Sequence, residues 1–548
     1  MKYTGAQILI ESLIKNGVDT VFGYPGGAVL NIYDELYKYK DRIKHVLVSH
    51  EQHAAHAADG YARSSGRVGV CLVTSGPGAT NLVTGIATAF VDSVPIIAIT
   101  GNVGLPLLGK DSFQEVDIAG ITMPIVKHNW IVKDVRDLAE IVNEAFIVAQ
   151  SGRPGPVLID IPKDVSAAVC GYDNGSQTNK SRYYKFKDDD INNVISLIKN
   201  SKRPMLYVGG GAVRSGANEE VKKLAETLGA PVALSLMGMG AFPADHPLCT
   251  GLIGKHGTIT SGKAVQKCDL LITLGARFSD RVTGNNESFA KNAKIVHIDI
   301  DPAEINKNIH ADAFIIGDLK EVLTKLEKHL PAKIVNEWGS DIAVLKAAAQ
   351  KKSGRKAVLN PGFVVRETAR LLGGTAGSIA GGSAIVVTDV GQHQIWTALY
   401  FPFKNGQKFL TSGGMGTMGY GMGAAAGAKI ANPKTPVVLF TGDGSFRMNC
   451  AEMSTMVKYN LPVLIIVFNN HTLGLLRQWQ KKSYKSIYFE TDLEKSSPDF
   501  VKLADAYNVT AFRVYNEKSF TIALQAAVKL LNSGKPVLIE AAIDKNEK

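Results

Sequence analysis

The chain has 548 residues, of which 45% are hydrophobic and 20% charged, and this composition is typical of a globular protein with a large core and two to four domains. The formal net charge of +11 is spread along the chain instead of being gathered in basic arms, which argues against nucleic acid or a membrane as a partner. One local basic run, made by Lys481, Lys482, Tyr484 and Lys485, is interpreted as a solvated face.

The cysteines and the N-terminal segment favour a cytoplasmic location. The five cysteines form no CxxC pair, and their odd number argues against a full disulfide framework. The first residues, MKYTGAQILIESLIKNGV, lack the apolar core of a signal peptide and predict an amphipathic helix of the fold itself. We find no apolar run long enough to cross a bilayer.

Short runs of Val, Ile and Leu recur along the chain, and each ends in a turn and is followed by a helical, often Ala-rich, stretch. This pattern is typical of parallel strands joined by crossover helices. In chain order the predicted strands are VGVCLV, VPIIAITG, GPVLIDIP, RPMLYV, PVALSL, CDLLITLG, AKIVHIDI, SAIVVTD, TPVVLFTG, LPVLIIVFNN and PVLIEAAID.

This rhythm breaks in two segments that are richer in polar or small residues, at about 171–190 and 350–383. We therefore predict an α/β fold of three doubly wound parallel-sheet domains. The predicted domains cover residues 1–170, 188–345 and 360–548.

A strand ending in Gly-Asp-Gly, a helix and a second strand ending in Asn-Asn follow one another from Gly442 to Asn470. We expect Asp443 and Asn470 side by side at the carboxyl ends of neighbouring parallel strands, which is the usual ligand edge of such sheets. Carboxylate and amide oxygens suit Mg²⁺. Gly442, Gly444 and a helix beginning near Ser445 allow the backbone to approach a diphosphate. Taken singly, each motif is also compatible with an ordinary turn.

The two motifs together resemble the cofactor signature of thiamine-diphosphate-dependent enzymes. The resemblance implies that Asp443, Asn470 and the backbone carbonyl of Thr472 hold Mg²⁺ beside thiamine diphosphate.

The resemblance also assigns a role to Glu51 in VLVSHEQHAAHAADGYARSSG, where a strand runs into a helix. Its carboxyl group is implied to bond a ring nitrogen of the cofactor's aminopyrimidine. The residues alone leave open that Glu51 only favours a helix N-terminus. A zinc site of the HExxH type fails on spacing, because Ala54 lies four residues after His50.

Nearly the whole chain is similar to the catalytic subunits of the acetohydroxyacid synthase family. The similarity is carried by GYPGGAVLNIYD, LVTSGPGATN, GKDSFQEVDIAGIT, SGRPGPVLIDIPKDV, GARFSDRVTG, DVGQHQIW, SGGMGTMGYG and LRQWQ. For catalysis and the substrate pocket it implies Gly27, Ala28, Phe113, Gln114, Lys163, Leu476 and Trp479. For thiamine diphosphate it implies Pro25, Gly26, Gly391, Gln392, His393, Gly416 and Met418, with Gly442, Gly444 and Ser445. Seen alone, Phe113, Met418 and Trp479 would more often be core residues and Lys163 a surface cation.

The middle part of the chain carries VGGGAVRSG after a predicted strand, which is close to a GxGxxG motif without being one. By itself this is a weak dinucleotide signal. The family resemblance implies FAD here, as a structural cofactor, because the reaction transfers no net electrons. The implied FAD residues are Arg153, Gly209, Gly210, Gly211, His256, Gly275, Arg277, Arg281, Asp299, Ile300 and Asp318.

The implied activity is decarboxylation of pyruvate and transfer of the two-carbon unit to a second pyruvate or to 2-ketobutyrate, in branched-chain amino acid biosynthesis. The family places the pyrimidine-binding domain, which contains Glu51, against the diphosphate-binding domain of another subunit, so a homodimer or homotetramer is implied. Whether a small regulatory subunit binds stays open. The alternatives are a plain 2-keto-acid decarboxylase, another carboligase and a non-catalytic nucleotide-binding protein.

Overall fold

A computed structural model of the chain describes residues 2–172, 186–334, 338–350, 359–372 and 383–547, without the side chains of residues 349 and 350. The two segments where the strand rhythm breaks lie largely outside these residues, so the domain limits stay predictions. The chain forms two compact units, one with the first and third sheets and the other with the second sheet.

The first sheet lies in the N-terminal part of the chain. Its elements are β1 (Lys2–Thr4), α1 (Gly5–Lys15), β2 (Thr20–Tyr24), α2 (Leu30–Lys38), β3 (Lys44–Leu47), α3 (Glu51–Ser65), β4 (Gly69–Val73), α4 (Pro77–Asn81), α5 (Val83–Val91), β5 (Ile96–Asn102), α6 (Ile118–Thr122), β6 (Asn129–Ile131), α7 (Leu138–Gln150), β7 (Val157–Pro162), α8 (Lys163–Ala167) and β8 (Val169–Gly171). Six parallel strands are ordered β3-β2-β4-β5-β7-β6, while β1 and β8 pair antiparallel. The strand order changes side between β2 and β4: β3 follows on one side of β2, and the later strands follow on the other. An α/β sheet usually binds its ligand at such a point of reversal.

The second sheet lies in the other unit. Its elements are α9 (Asp188–Asn200), β9 (Pro204–Val208), α10 (Gly210–Arg214), α11 (Asn218–Leu228), β10 (Val232–Leu234), β11 (Cys249–Leu252), α12 (Ile259–Lys267), β12 (Leu270–Leu274), α13 (Asp280–Thr283), β13 (Lys294–Asp299), β14 (Ala313–Ile316), α14 (Leu319–Glu327), α15 (Trp338–Gln350) and α16 (Pro361–Leu372). The parallel strands are ordered β11-β10-β9-β12-β13-β14, so the reversal lies between β9 and β12.

The third sheet lies in the C-terminal part. Its elements are β15 (Ile385–Thr388), α17 (Gln392–Tyr400), β16 (Phe409–Leu410), α18 (Gly421–Ala431), β17 (Val437–Gly442), α19 (Asp443–Asn449), α20 (Met453–Lys458), β18 (Val463–Asn469), α21 (Gly474–Ser483), α22 (Phe500–Ala506), β19 (Thr510–Val514), α23 (Glu517–Asn532) and β20 (Val537–Ala542). The strand order is β16-β15-β17-β18-β20-β19, with the reversal between β15 and β17.

The three sheets confirm the predicted fold class, and all eleven predicted runs form strands. Central strands such as β4, β17 and β18 are buried along their whole length, because helices cover both faces of a parallel sheet. The strands β1, β2, β6, β8, β11, β14, β16 and β19 were not predicted. Most of them are short or lie at a sheet edge, where apolar runs are weaker, whereas β2 lies inside its sheet.

Helices α3 and α18 pack directly on each other within the first unit. Small residues make this possible: Cβ atoms placed on Gly60 and Gly427 would lie 2.7 Å from the carbonyl carbons of Ala424 and Ala57, respectively. Helix α3, which begins at Glu51, therefore packs against α18, the helix that precedes β17 and the Gly-Asp-Gly motif in the chain.

No helix in the described parts of the chain combines the length and the apolar character that crossing a membrane requires.

Candidate active site

The Gly-Asp-Gly and Asn-Asn motifs meet at the carboxyl edge of the third sheet. Asp443 follows β17, and its Oδ1 accepts a hydrogen bond from the Gly444 amide at 2.8 Å. Asn470 follows the neighbouring strand β18, and its Oδ1 accepts from the Thr472 amide at 3.2 Å. Both side chains are buried.

The donor set at this edge fits a hard cation. The second carboxylate oxygen of Asp443, Oδ2, is buried and has no hydrogen-bond partner among the described residues. Burial raises the pKa of Asp443 to about 6, because desolvation disfavours the charged carboxylate. A bound cation would favour the charged form. No group of three or more His, Cys, Asp or Glu side chains in the described chain could hold a metal by itself. A hard cation at Asp443 would therefore also need amide or carbonyl oxygens as ligands.

The turn after β15 brings three predicted cofactor residues to the same edge. Gln392 accepts a hydrogen bond from the Asn470 side-chain amide at 3.0 Å. A Cβ on Gly442 would lie 2.8 Å from Nδ1 of His393, so the glycine lets these two turns touch. Burial lowers the pKa of His393 to about 3, which keeps the imidazole neutral. Gly391 precedes them with φ of +157°.

The turn that carries Gly416 and Met418 is held beside Gly444. A Cβ on Gly444 would be 3.5 Å from the terminal methyl of Met418. Asp389, at the end of β15, accepts hydrogen bonds from the amides of Gly419 and Tyr420 at 2.8 and 3.1 Å. The Met418 turn is thus fixed to the end of β15, just before the turn that carries Gly391, Gln392 and His393.

Two further contacts support the same edge. Ser445, in α19, donates its hydroxyl to the Val390 carbonyl at 3.0 Å. Asp92 of the first sheet accepts from the amides of Gly413 and Gly414 at 3.1 and 2.8 Å, which anchors the start of the Gly416 turn.

Glu51 lies at the carboxyl edge of the first sheet, as the first residue of α3. The helix is capped by His50, whose ring accepts from the Gln52 amide at 3.1 Å. The Glu51 carboxylate instead accepts from the Asn81 side chain at 2.9 Å, and a Cβ on Gly78 would be 3.5 Å from its other oxygen. Glu51 is therefore a half-buried acid whose carboxylate is held by Asn81, the last residue of α4, and it is not the cap of its own helix.

The turn after β2 lies next to Thr74, in the segment that leads to the residues around Glu51. A Cβ on Gly26 would be 2.5 Å from Cβ of Thr74, and the Ala28 amide donates to the Thr74 hydroxyl at 3.4 Å. Thr74 leads into the turn with Gly78. Pro25 and Gly27 are exposed, and a Cβ on Gly27 would meet nothing within 4 Å.

The structure places Gln114 beside Gly76 in the same segment, whereas two other predicted pocket residues, Phe113 and Lys163, are exposed to solvent. A Cβ on Gly76 would be 2.9 Å from Cα of Gln114, which adopts φ of +57°. Phe113 is 88% exposed, so it is not a core residue. Lys163 is exposed at the start of α8, where its carbonyl accepts from the Asn31 side chain at 3.4 Å.

Leu476 and Trp479 both lie on α21, which begins two residues after Thr472. Their side chains are 53% and 37% exposed, so neither belongs to the core.

The predicted flavin residues of the second unit collect at the carboxyl edge of its sheet. Gly209, Gly210 and Gly211 follow β9, and the Gly211 amide donates to the Gly275 carbonyl after β12 at 3.0 Å. A Cβ on Gly211 would lie 2.7 Å from Cα of Gly275. The two turns meet where the strand order reverses, the usual nucleotide crevice.

The next two strands add acidic groups to this edge. Asp299 ends β13 and accepts from the Asp301 amide at 3.0 Å, and burial raises its pKa. Ile300 is half-buried beside it. Asp318 caps α14, accepting from the amides of Lys320 and Glu321 at 2.9 and 3.2 Å, so it has a structural role at the start of this helix.

Four basic residues, one histidine and three arginines, complete the predicted flavin set. His256 lies in the turn after β11, where the Lys255 amide donates to the Arg281 carbonyl at 2.8 Å. Arg277 follows β12 and is half-buried, and Arg281 is exposed. Arg153 belongs to the first unit, where its Nε donates to the Ser93 hydroxyl at 2.8 Å.

Sequence reasoning missed four side chains that organise these edges, namely Thr74, Asn81, Asp92 and Asp389. Each acts through a hydrogen bond to a residue distant in sequence. Thr74, Asn81 and Asp389 lie within or next to the quoted blocks LVTSGPGATN and DVGQHQIW, which was the only available signal.

The chain matches three thiamine pyrophosphate enzyme families along its length. The N-terminal TPP binding domain matches residues 3–121, the central domain 191–326 and the C-terminal TPP binding domain 389–541.

Full-length relatives agree with these matches. The chain is 45% identical to the acetolactate synthase large subunit of Pyropia yezoensis, over 99% of this chain and 92% of that protein. It is 46% identical to an acetolactate synthase large subunit of Mycobacterium tuberculosis, over 96% and 86%, and 44% identical to a probable acetolactate synthase large subunit of Methanococcus aeolicus, over 98% and 92%. The chain therefore belongs to the acetolactate synthase large-subunit family of thiamine pyrophosphate enzymes.

Proposed function

We propose that this chain is the catalytic subunit of an acetolactate synthase, which decarboxylates pyruvate and transfers the two-carbon unit to a second pyruvate or to 2-ketobutyrate. The products, 2-acetolactate and 2-aceto-2-hydroxybutyrate, are precursors of branched-chain amino acids. One observation carries the proposal: an acid, Glu51, and an oxygen donor set around Asp443 lie at the ligand edges of two different parallel sheets.

The proposed metal is Mg²⁺, held by Asp443, Asn470 and the backbone carbonyl of Thr472. The buried, unpartnered Oδ2 of Asp443 supports this set. Gly391, Gln392, His393, Gly442, Gly444 and Ser445 would bind the diphosphate, and Gly416 and Met418 would support the cofactor's bend. Thiamine diphosphate, when bound, supplies the electron sink that decarboxylation of a 2-keto acid requires.

Glu51 is proposed to hold a proton at a ring nitrogen of the aminopyrimidine. The hydrogen bond from Asn81 orients the carboxyl group. The nearby turn with Pro25, Gly26, Gly27 and Ala28 would face the reacting carbon of the substrate.

The side chains of Phe113, Gln114, Lys163, Leu476 and Trp479 are proposed to bind the 2-keto acids. Lys163 supplies a positive charge for a substrate carboxylate, and the apolar groups would exclude water and favour transfer to a second keto acid over protonation. Phe113, Leu476 and Trp479 are exposed in the single chain, which supports a pocket completed by another subunit. We therefore propose a homodimer or homotetramer.

FAD is proposed as a structural cofactor of the second unit. The close approach of the Gly209–Gly211 turn to Gly275, at the reversal of strand order, supports a nucleotide crevice there. Five free cysteines are consistent with a reducing, cytoplasmic location.

The test is to incubate the purified protein with pyruvate, thiamine diphosphate and Mg²⁺, with and without FAD, and to measure acetolactate, acetaldehyde and carbon dioxide together. Acetolactate formation is the expected result. Acetaldehyde in its place would make the enzyme a simple decarboxylase, and an absence of carbon dioxide would overturn pyruvate as the substrate. Loss of acetolactate without FAD would support the flavin assignment.

A further inference from the structure

A basic segment lies beside the proposed metal set. It comprises α21 and the following residues up to Glu490, and we call residues 474–490 the basic loop. No residue of α21 is buried, and residues 481–490 are all exposed. The helix also carries Leu476 and Trp479, the proposed groups for the second substrate.

The basic loop has a net positive charge that the structure does not neutralise. It contains Arg477, Lys481, Lys482 and Lys485 against the single carboxylate of Glu490, a net charge of +3. None of the four cations has a carboxylate partner among the described residues. The guanidinium of Arg477 instead lies 3.8 Å from the centroid of the Tyr488 ring.

The backbone that carries these cations is attached next to the ligand edge. The Gln480 side chain donates to the Phe489 carbonyl at 2.9 Å and accepts from the Thr491 hydroxyl at 2.8 Å. The Thr491 carbonyl in turn accepts from the Thr472 hydroxyl at 2.6 Å. The lysine-bearing turn is therefore attached to the residue whose carbonyl belongs to the proposed metal set.

We infer that the basic loop collects small organic monoanions at the mouth of the active site and so raises the local concentration of the 2-keto acid substrate. The inference rests on the proposed function for the identity of that anion. Removing three lysine charges at about 10 Å from an arriving monoanion changes its local concentration about three- to fivefold at about 10 mM salt. This change in local concentration falls to about twofold at about 0.1 M salt and vanishes at about 0.5 M, because salt screens exposed charges.

The first experiment measures KM and kcat for pyruvate in the full-length protein as a function of salt. The test variant is Lys481→Gln, Lys482→Gln and Lys485→Asn, with asparagine chosen because Lys485 has φ of +52°. The matched control is Lys434→Gln, Lys529→Gln and Lys535→Gln, which removes three exposed lysines near the amino edge of the same sheet. We expect KM to rise about three- to fivefold in the test variant at about 10 mM salt, with kcat and the control unchanged.

The second experiment needs no turnover. Trp479 is the most exposed of the four tryptophans, so quenching of tryptophan fluorescence by iodide, relative to neutral acrylamide, reports the anion concentration at the basic loop. We expect the iodide to acrylamide ratio to fall in the test variant at low salt, and to stay unchanged in the control. A Trp479→Phe variant identifies the contribution of this residue.

An unchanged quenching ratio would overturn the inference, as would a lowered ratio with an unchanged KM. A KM that rises equally at all salt concentrations would also overturn it, because lost contacts are not screened. If the unmodified protein forms no acetolactate, the proposed function fails while the quenching ratio still decides whether the basic loop concentrates anions.

Discussion

Gly427 is the tightest point of the contact between α3 and α18, and Gly427→Ala should separate the two helices. The new Cβ would lie 2.7 Å from the carbonyl carbon of Ala57 and 2.9 Å from its Cα, and closer still to its oxygen. Ordinary contacts are about 3.5–4.0 Å. The helices would have to move apart by about 1 Å, because the atoms that clash are backbone and cannot rotate away.

The expected net loss of stability is about 2 kcal/mol. Overpacking costs about 3 kcal/mol at the upper end, and the better helix propensity of alanine returns about 1 kcal/mol. Gly262, inside α12, is the control, because a Cβ there would meet nothing within 4 Å. Gly262→Ala should stabilise by about 0.5–1 kcal/mol.

Scanning calorimetry of the full chain is the assay, since it separates the transitions of the two compact units. Gly427→Ala should lower the transition of the first unit, and Gly262→Ala should raise that of the second. Equal or greater stability of Gly427→Ala, beside a normal response of Gly262→Ala, would refute the reasoning. The same variant should also weaken activity, because α3 begins at Glu51.

Three further changes test the site and its surroundings. Glu51→Gln should lower turnover by about 10²- to 10⁴-fold with unchanged unfolding temperature, because it removes the proton-holding carboxyl group; unchanged turnover would contradict the assignment. Asp443→Ala should abolish the thermal stabilisation given by thiamine diphosphate plus Mg²⁺, which is about 2.7 kcal/mol at a hundredfold excess over Kd; a retained shift would remove Asp443 from the metal set. Burial raises the pKa of Asp160 to about 6, above its ordinary 3.8. Between these two values the folded state keeps a proton that the unfolded state has lost. The free energy of unfolding should therefore fall by about 3 kcal/mol as pH rises from about 4 to about 6. Asp160→Asn should lose this slope in urea unfolding, and an unchanged slope would assign it to another group.

The sheet edges show which residues of the candidate site could be predicted from the sequence. Asp443 and Asn470 were expected to be neighbours because each ends a strong apolar run, and adjacent parallel strands end at one edge. Asp389 also ends an apolar run, but the sequence could not show its bonds to the Met418 turn, because that turn follows no predicted strand. The sequence also could not show that Phe113 and Trp479 are exposed, since an isolated apolar residue in a loop or on a short helix gives no sign of its burial.

The sequence by itself determined the α/β class, the order of the strands along the chain and the residue types available at each strand end, because these depend on local periodicity and on glycine turns. Only the tertiary structure decided which turns meet. The acid Glu51 is held by Asn81, Gln392 bonds Asn470, and one oxygen of Asp443 has no hydrogen-bond partner among the residues that the structure describes. Such pairings follow from how helices and sheets pack in three dimensions, and a one-dimensional pattern does not contain them.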